Sequence, residues 1–435
     1  MKIHIAEFGP IKDADIAIAP MLLMTGNSNM GKSYANYLFY FLMRAITKDM
    51  FVQIVERKFE KMKQSDAKLV FQISENDLRK WLVDNVRPFM AKFLGNDDLT
   101  CDVSFFLDMD DKIPDGIIKV EYIRKRSMDS TDESPLETMM STICVNGEVS
   151  SSTTFANDRR AESQHLAFSV SWYFQRMTFG HTFMKSVILP PARGSYVGES
   201  YTAKEMIATQ AEMYKAFLTD YDFALHASIY GAERSNDDQF FLSRMKTLMK
   251  GELTTKDNKQ FLLMNNGKEL PLTAAASSIK ELSPFFFYLK NWSRYSFSFC
   301  IEEPEAHLHP TMQKDVADLL AACLNKGMYF QMTTHSDYFL QRVNQLILLG
   351  RLREKDASAY EEFRKSHGLN QRFYLNGKDV VCYYFHEDDD GCVKIDELKL
   401  GEEGLPLTSF FGIVSELTSF EDDLNIALCP EKYEA

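Results

Sequence analysis

The sequence predicts an α/β fold in which a parallel sheet carries a phosphate-type loop and is interrupted by an inserted mixed α/β subdomain. Three observations predict it. A short apolar strand pattern, MLLMT, runs into MTGNSNMGKS and then into a mostly apolar helical stretch from Ser33 to about Met50. Far downstream, SFSFCIEE, PTMQKDVADLLAACLN and MYFQMTTHS read as strand, helix and strand, the local pattern of a βαβ unit. Between them, residues 51–185 change texture, with amphipathic helical patterns around strand-like segments, and read as an insertion.

The elements follow in order. KIHIAEF and ADIAIAP alternate apolar and polar residues as half-buried strands do. In the insertion, ENDLRKWLVDNVRPFMAKFLG and Arg159 to Met177 read as helices, and LTCDVSFFLDM and GIIKVEYIRKR as strands. The polar run RSMDSTDESP, 126–135, reads as a surface loop. After SVILPPARGSY come helices over roughly 201–250, then a hairpin with NNGK at its turn, where Asn-Gly supplies positive φ. Pro310 opens the next helix, which runs to Gly327.

Composition sets limits. A chain of 435 residues with 45% hydrophobic content can bury one large core or two smaller ones. No apolar stretch reaches the length of about 18 residues that a spanning helix needs, and MKIHIAEFGP lacks a signal-peptide pattern. A cytoplasmic protein with no membrane partner is expected. Seven cysteines with no C-x-x-C pair suggest packing thiols rather than a disulfide scaffold or zinc ribbon. A net charge of −13 argues against broad electrostatic binding of nucleic acid, so DNA as a partner is left open without support.

Gly26 to Ser33 satisfies G-x-x-x-x-G-K-[ST], in which glycines let backbone N–H groups curl around phosphate oxygens at a helix N-terminus. Lys32 would reach the β and γ phosphates, and Ser33 would ligate Mg²⁺. Asn29 stands where many such loops carry Gly, and Asn tolerates the left-handed conformation. The competing reading is a glycine turn that caps a helix. At the end of FSFCIEE, Glu302 would complete the Mg²⁺ shell and Glu303 would deprotonate the attacking water. Pro304 disfavours helix at Glu303 and so ends the strand. His335, at the tip of the next strand, would donate to a γ phosphate. A transition-metal site drawn from Glu302, Glu303, Glu305, His307, His309 and His335 is the weaker reading, because no H-E-x-x-H helix pair exists.

These pieces, in this order, resemble the ABC-type ATPase heads of the SMC and RecF class, and more closely the overcoming-lysogenisation-defect family. IEEPEAHLHP followed by TTHSDYFL carries most of the resemblance, with ILPPARGSY and the closing pattern from VCYYFHEDDDG onward. It implies an ABC-type P-loop head built from residues 1–50 and 186–400, with 51–185 inserted and 401–435 as a helical tail. It implies ATP and Mg²⁺ as cofactors, with Gly26, Asn27, Asn29, Gly31, Lys32 and Ser33 on the nucleotide. LTAAASSIKELSP stands where such heads carry the signature segment that caps a partner's nucleotide, and Ser277 and Ser278 match it. Ile279 occupies a usual Gly position, and an alternative register puts Ser278 there; a helix start with serine caps is the competing reading. Relatives often add a Toprim nuclease domain, but HEDDDG at 386–391 reads as a hairpin turn.

The resemblance therefore implies an ATP-hydrolysing switch that pairs head to head as a homodimer or a higher oligomer. Toprim-free members resemble the ATPase subunits of anti-phage systems such as Septu and PARIS, which control a separate effector nuclease. The alternative is a RecF- or SMC-like DNA-repair ATPase that binds DNA directly; the acidic balance and the absence of long heptad arms weigh against it. A nucleotide-binding scaffold with negligible turnover is the third reading, kept by Ile279.

Overall fold

The computed structural model describes residues 1–63, 65–109, 111–128, 137–156, 158–198, 211–226, 236–257, 259–292, 295–407 and 418–424. The chain opens with β1 (Lys2–Phe8), β2 (Ile11–Ala17) and β3 (Met21–Gly26). Then α1 (Lys32–Arg44) passes through a π-helical turn, Ala45–Asp49, into α2 (Met50–Phe59). The helix expected to end near Met50 therefore runs on to Phe59. The turn stays satisfied because Ser171 Oγ donates to the carbonyl of Ile46 at 2.8 Å.

The middle holds β4 (Lys68–Ser74), α3 (Glu75–Leu94), β5 (Cys101–Phe106), β6 (Ile117–Met128), β7 (Glu137–Val145), β8 (Glu148–Ala156) and α4 (Arg159–Phe179). Next come β9 (Lys185–Leu189), α5 (Glu212–His226), α6 (Asn236–Met249), β10 (Gly251–Lys256), β11 (Lys259–Met264), β12 (Glu269–Pro271) and α7 (Ser277–Trp292). The chain continues through β13 (Phe297–Glu302), α8 (Pro310–Leu324), β14 (Tyr329–Thr333), α9 (Asp337–Lys355), α10 (Ala357–Ser366), β15 (Val380–Glu387) and β16 (Val393–Glu397).

The fold is mixed α/β around a nine-stranded sheet of order β5-β1-β2-β16-β15-β3-β14-β13-β9. Strands β15, β3, β14, β13 and β9 run parallel, so their carboxyl ends share one edge. All six residues of β13 are buried, as in a central parallel strand covered on both faces. The β13–α8–β14 unit has the parallel pairing its sequence pattern predicts.

The insertion is less separate than its sequence suggests. β5 lies within 51–185 but pairs antiparallel with β1 in the main sheet. Its neighbour α3, opened by a capping box between Ser74 and Asp77, sets Trp81 against Phe41 of α1, with ring centroids 6.3 Å apart. Segments far apart in sequence thus share apolar faces with α1. The rest forms a four-stranded antiparallel sheet, β4-β6-β7-β8, packed on α4.

NNGK turns between β11 and β12, with Gly267 at φ 80. HEDDDG spans the end of β15 and the turn that leads to β16, closed by Asp388 N–H on the Cys392 carbonyl at 2.9 Å. Of the expected loop 126–135, residues 126–128 complete β6 and the remainder lies outside the described residues. So do 199–210 and 227–235 of the helical stretch, and 408–417 and 425–435 of the expected C-terminal tail.

Candidate active site

The loop after β3 stands at the shared carboxyl edge, where open α/β sheets place their ligands. Gly26 has φ 119, and a Cβ there would lie 2.0 Å from the Phe385 carbonyl oxygen, so β15 leaves room for glycine alone. Asn27 N–H donates to that same oxygen at 3.0 Å, which fixes the loop's entry. Asn29 adopts φ 64, the left-handed conformation its sequence position calls for. Gly31, at φ 81, caps α1, whose first turn holds no acidic residue. The positive end of α1 is therefore not neutralised by its own side chains. Lys32 is buried, and its ammonium donates to the carbonyls of Gly26, at 3.1 Å, and Asn27. Burial holds it below its ordinary pKa, while Glu302 and Glu303 pull it back up.

Glu302 ends β13 as a buried carboxylate. Its Oε2 accepts from Ser33 Oγ at 2.6 Å and Thr333 Oγ1 at 2.9 Å, and its Oε1 from Asn36 Nδ2 at 2.7 Å. Burial raises its pKa, and these three bonds oppose the rise. A serine hydroxyl beside a carboxylate is a hard-oxygen donor set that fits Mg²⁺. Asn36 and Thr333 were not singled out in the sequence. The available signal was spacing, since Asn36 follows Ser33 by three positions and shares its helix face.

Glu303 takes φ 48, with its N–H on the Thr333 carbonyl at 3.1 Å, so the chain turns sharply after the strand. Among the described residues its carboxylate accepts no hydrogen bond. Its charge nonetheless acts on Lys32 and His335, opposing in part the larger effects that lower the pKa of each. His335 is exposed beyond β14, and desolvation and the Lys32 charge hold its imidazole below the usual value. The ring is thus neutral near pH 7 and able to donate one hydrogen bond.

The backbone of His335 is anchored by Glu305, a residue whose sequence position suggests only the metal alternative. Buried Glu305 accepts from His335 N–H at 2.8 Å and from Thr334 Oγ1 at 2.7 Å through one oxygen. His309 caps α8, its Nδ1 hydrogen-bonding with Thr311 Oγ1 at 2.8 Å. Among the described residues, no group of three or more His, Cys, Asp or Glu is placed to hold a metal ion.

Lys32, Ser33, Glu302, Glu303 and His335 therefore gather at one edge. Ser277 and Ser278 do not join them by any hydrogen bond among the described residues; they open α7, with Ser277 exposed.

Residues 199–340 match the AAA ATPase domain family. The match spans α7, both strand-end glutamates and His335, and begins beyond the phosphate-type loop. No curated protein matches the sequence. Among solved structures, the chain is similar to an SMC head bound to the C-winged helix domain of ScpA, with 13% identity, TM-score 0.41, and coverage of 92% of this chain and 98% of that one. It is also similar to the SMC head domain from Thermotoga maritima, with 10% identity, TM-score 0.33 and coverage of 92% and 98%. A third is the SMC head with an extended coiled coil bound to the C-terminal domain of ScpA, derived from Pyrococcus furiosus, with 11% identity, TM-score 0.39 and coverage of 96% and 98%. Among the described residues, no helix is long and apolar enough to cross a membrane.

Proposed function

We propose that this protein binds and hydrolyses ATP and works as a nucleotide-driven switch. The observation that carries the reading is the cluster in which Ser33 of the loop and Asn36 of α1 close on Glu302 at the end of β13. It joins a phosphate-type loop to a strand-end carboxylate, and the next residue is a second carboxylate that accepts no hydrogen bond among the described residues. Loop N–H groups and the α1 terminus hold phosphate oxygens, and Lys32 turns from the loop carbonyls to neutralise them. Ser33 and Glu302 would hold Mg²⁺, which supplies charge neutralisation at the phosphates. Glu303 accepts the proton of the attacking water, and His335 donates to the γ phosphate.

The wider reading rests on the family resemblance. Residues 1–50 and 186–400 act as an ABC-type head, and two heads pair so that Ser277 and Ser278 of each copy cap the nucleotide of the other. The pair serves as the ATPase and sensor subunit of a bacterial anti-phage system, holding a separate effector nuclease on the 51–185 or the 201–250 region.

Equilibrium titration with labelled ATP tests the site. Lys32→Ala removes an ammonium that offsets phosphate charge, and affinity falls by a factor of about 10² or more. An unchanged dissociation constant defeats the assignment. For the partner, co-expression with the adjacent gene product and mass measurement of the purified assembly gives a complex of both proteins. Recovery of this chain alone as a monomer with ATP present, binding DNA tightly at physiological salt, turns the reading to DNA repair.

A further inference from the structure

The segment SVILPPARGSY supplies none of the side chains gathered at the site described above, yet it contains the most completely enclosed cation among the described residues. Arg193 follows β9 and is 2% exposed. Its guanidinium reaches in several directions. Nε donates to the Glu281 carbonyl at 2.9 Å, and Nη1 to the carbonyls of Pro190 at 3.2 Å and Glu302 at 2.7 Å. Nη2 donates to the carbonyl of Glu303 at 3.4 Å. The Glu281 carboxylate faces it at 3.4 Å and accepts from Gly194 N–H at 3.1 Å.

The two ends of this contact belong to different parts of the site. Glu302 and Glu303 carry the proposed magnesium and base carboxylates. Glu281 lies on α7 four residues after Ser277 and three after Ser278, hence on the same helix face and one turn away. The fit is tight on both sides. A Cβ on Gly194 would lie 2.8 Å from Glu281 Oε1, so glycine is required for the carboxylate to approach the backbone. Ala192 takes φ 53, a left-handed turn that swings the Arg193 side chain inward. A buried, hydrogen-bonded arginine is poorly replaced by lysine, because an ammonium cannot reproduce a planar fork of donors.

We infer that Arg193, locked by Glu281, is a positioning residue that couples the Glu302–Glu303 turn to the start of α7. Nucleotide bound at the loop shifts Glu302 and Glu303, Arg193 carries that shift to Glu281, and the serines at the head of α7 move with the helix. Low-dielectric surroundings strengthen each bond, and a unit held at every corner moves as a body rather than deforming. By reciprocity, a partner that engages Ser277 and Ser278 tightens nucleotide binding by the same factor. The inference rests on the proposed nucleotide site and deepens it.

Hydrogen exchange read by mass spectrometry, on the full chain with and without ATP and Mg²⁺, tests it. In the wild type, ATP slows exchange in two places, residues 24–36 of the loop and residues 277–283 of α7. In Arg193→Lys the loop response stays, while the α7 response falls by about fivefold or more. Glu281→Gln, which keeps an acceptor for Gly194 but removes the ion pair, gives the same split if Arg193→Lys does not fold. A folded variant that keeps the full α7 response overturns the coupling, and so does a variant that loses both responses with an unchanged thermal melt. A wild type that shows no response at the loop removes the nucleotide site itself, a result recognisably different from either.

Discussion

Glu302 combines an observed structural role with the chemical one proposed for it. Its carboxylate is buried, raised in pKa by that burial, and held by Ser33, Asn36 and Thr333. An acid whose pKa is raised on folding favours the folded state when protonated, so its cost is greatest at alkaline pH and fades as pH falls through the folded value. Glu302→Gln removes that charge at little steric cost. The Ser33 and Thr333 hydroxyls can turn to accept from the new Nε2, while Oε1 keeps the bond from Asn36 Nδ2. The nucleotide-free variant should therefore melt above the wild type at pH 8, by about 2 °C or more, and the gap should close towards pH 5. Melting curves across that range check it, and a gap that widens in acid overturns the argument. The geometry of the candidate site was partly legible. Gly26, Lys32, Ser33 and Glu302 belong to a motif or a strand end that announces itself. Asn36, Thr333, Glu305 and Arg193 do not, because each gains its role from a neighbour across the fold, as Ser33 and Glu302 do over 269 residues.

At the scale of elements, the parallel unit was readable because β13 is apolar on both faces and α8 begins at a proline that helices favour. The antiparallel middle was harder. β7 and β8, EVSSSTTFA in the second case, are rich in serine and threonine and lack the apolar alternation that marks a strand; pairing in the sheet makes them strands. β5 joined the main sheet for a similar reason, since its edge position depends on where β1 lies. The loop between β3 and α1 has its own requirement. Gly26 packs against the Phe385 backbone of β15, so the loop and that strand must fit together before any phosphate arrives. In Gly26→Ala the methyl group meets that carbonyl and a φ that L-residues rarely adopt. ATP affinity should fall by about tenfold or more, and thermal stability should drop as well. Calorimetric titration and melting of the same preparation check both, and an alanine variant with wild-type affinity would show that β15 can yield.

At the scale of the whole molecule, the charge and the proposed mechanism pull in opposite directions. The chain carries a net charge of −13, so two heads approaching face to face repel at long range. Pairing must then come from short-range contacts made through bound nucleotide, and it should depend on hydrolysis not having occurred. Glu303→Gln preserves shape but removes the proton acceptor, so ATP should bind and persist while turnover falls by about 10² to 10⁴. That variant should appear as a dimer or larger assembly with ATP and as a smaller species without it, measured by light scattering during size exclusion. Salt sharpens the test. Screening shortens the repulsion to about 10 Å at 0.1 M, so raising ionic strength from low salt should strengthen the association of acidic heads. Binding to a DNA backbone responds in the opposite sense, because it depends on release of counterions. Assembly of Glu303→Gln that strengthens between low and physiological salt agrees with head pairing. If the ATP-bound variant stays monomeric at every salt concentration, the head-pairing reading fails.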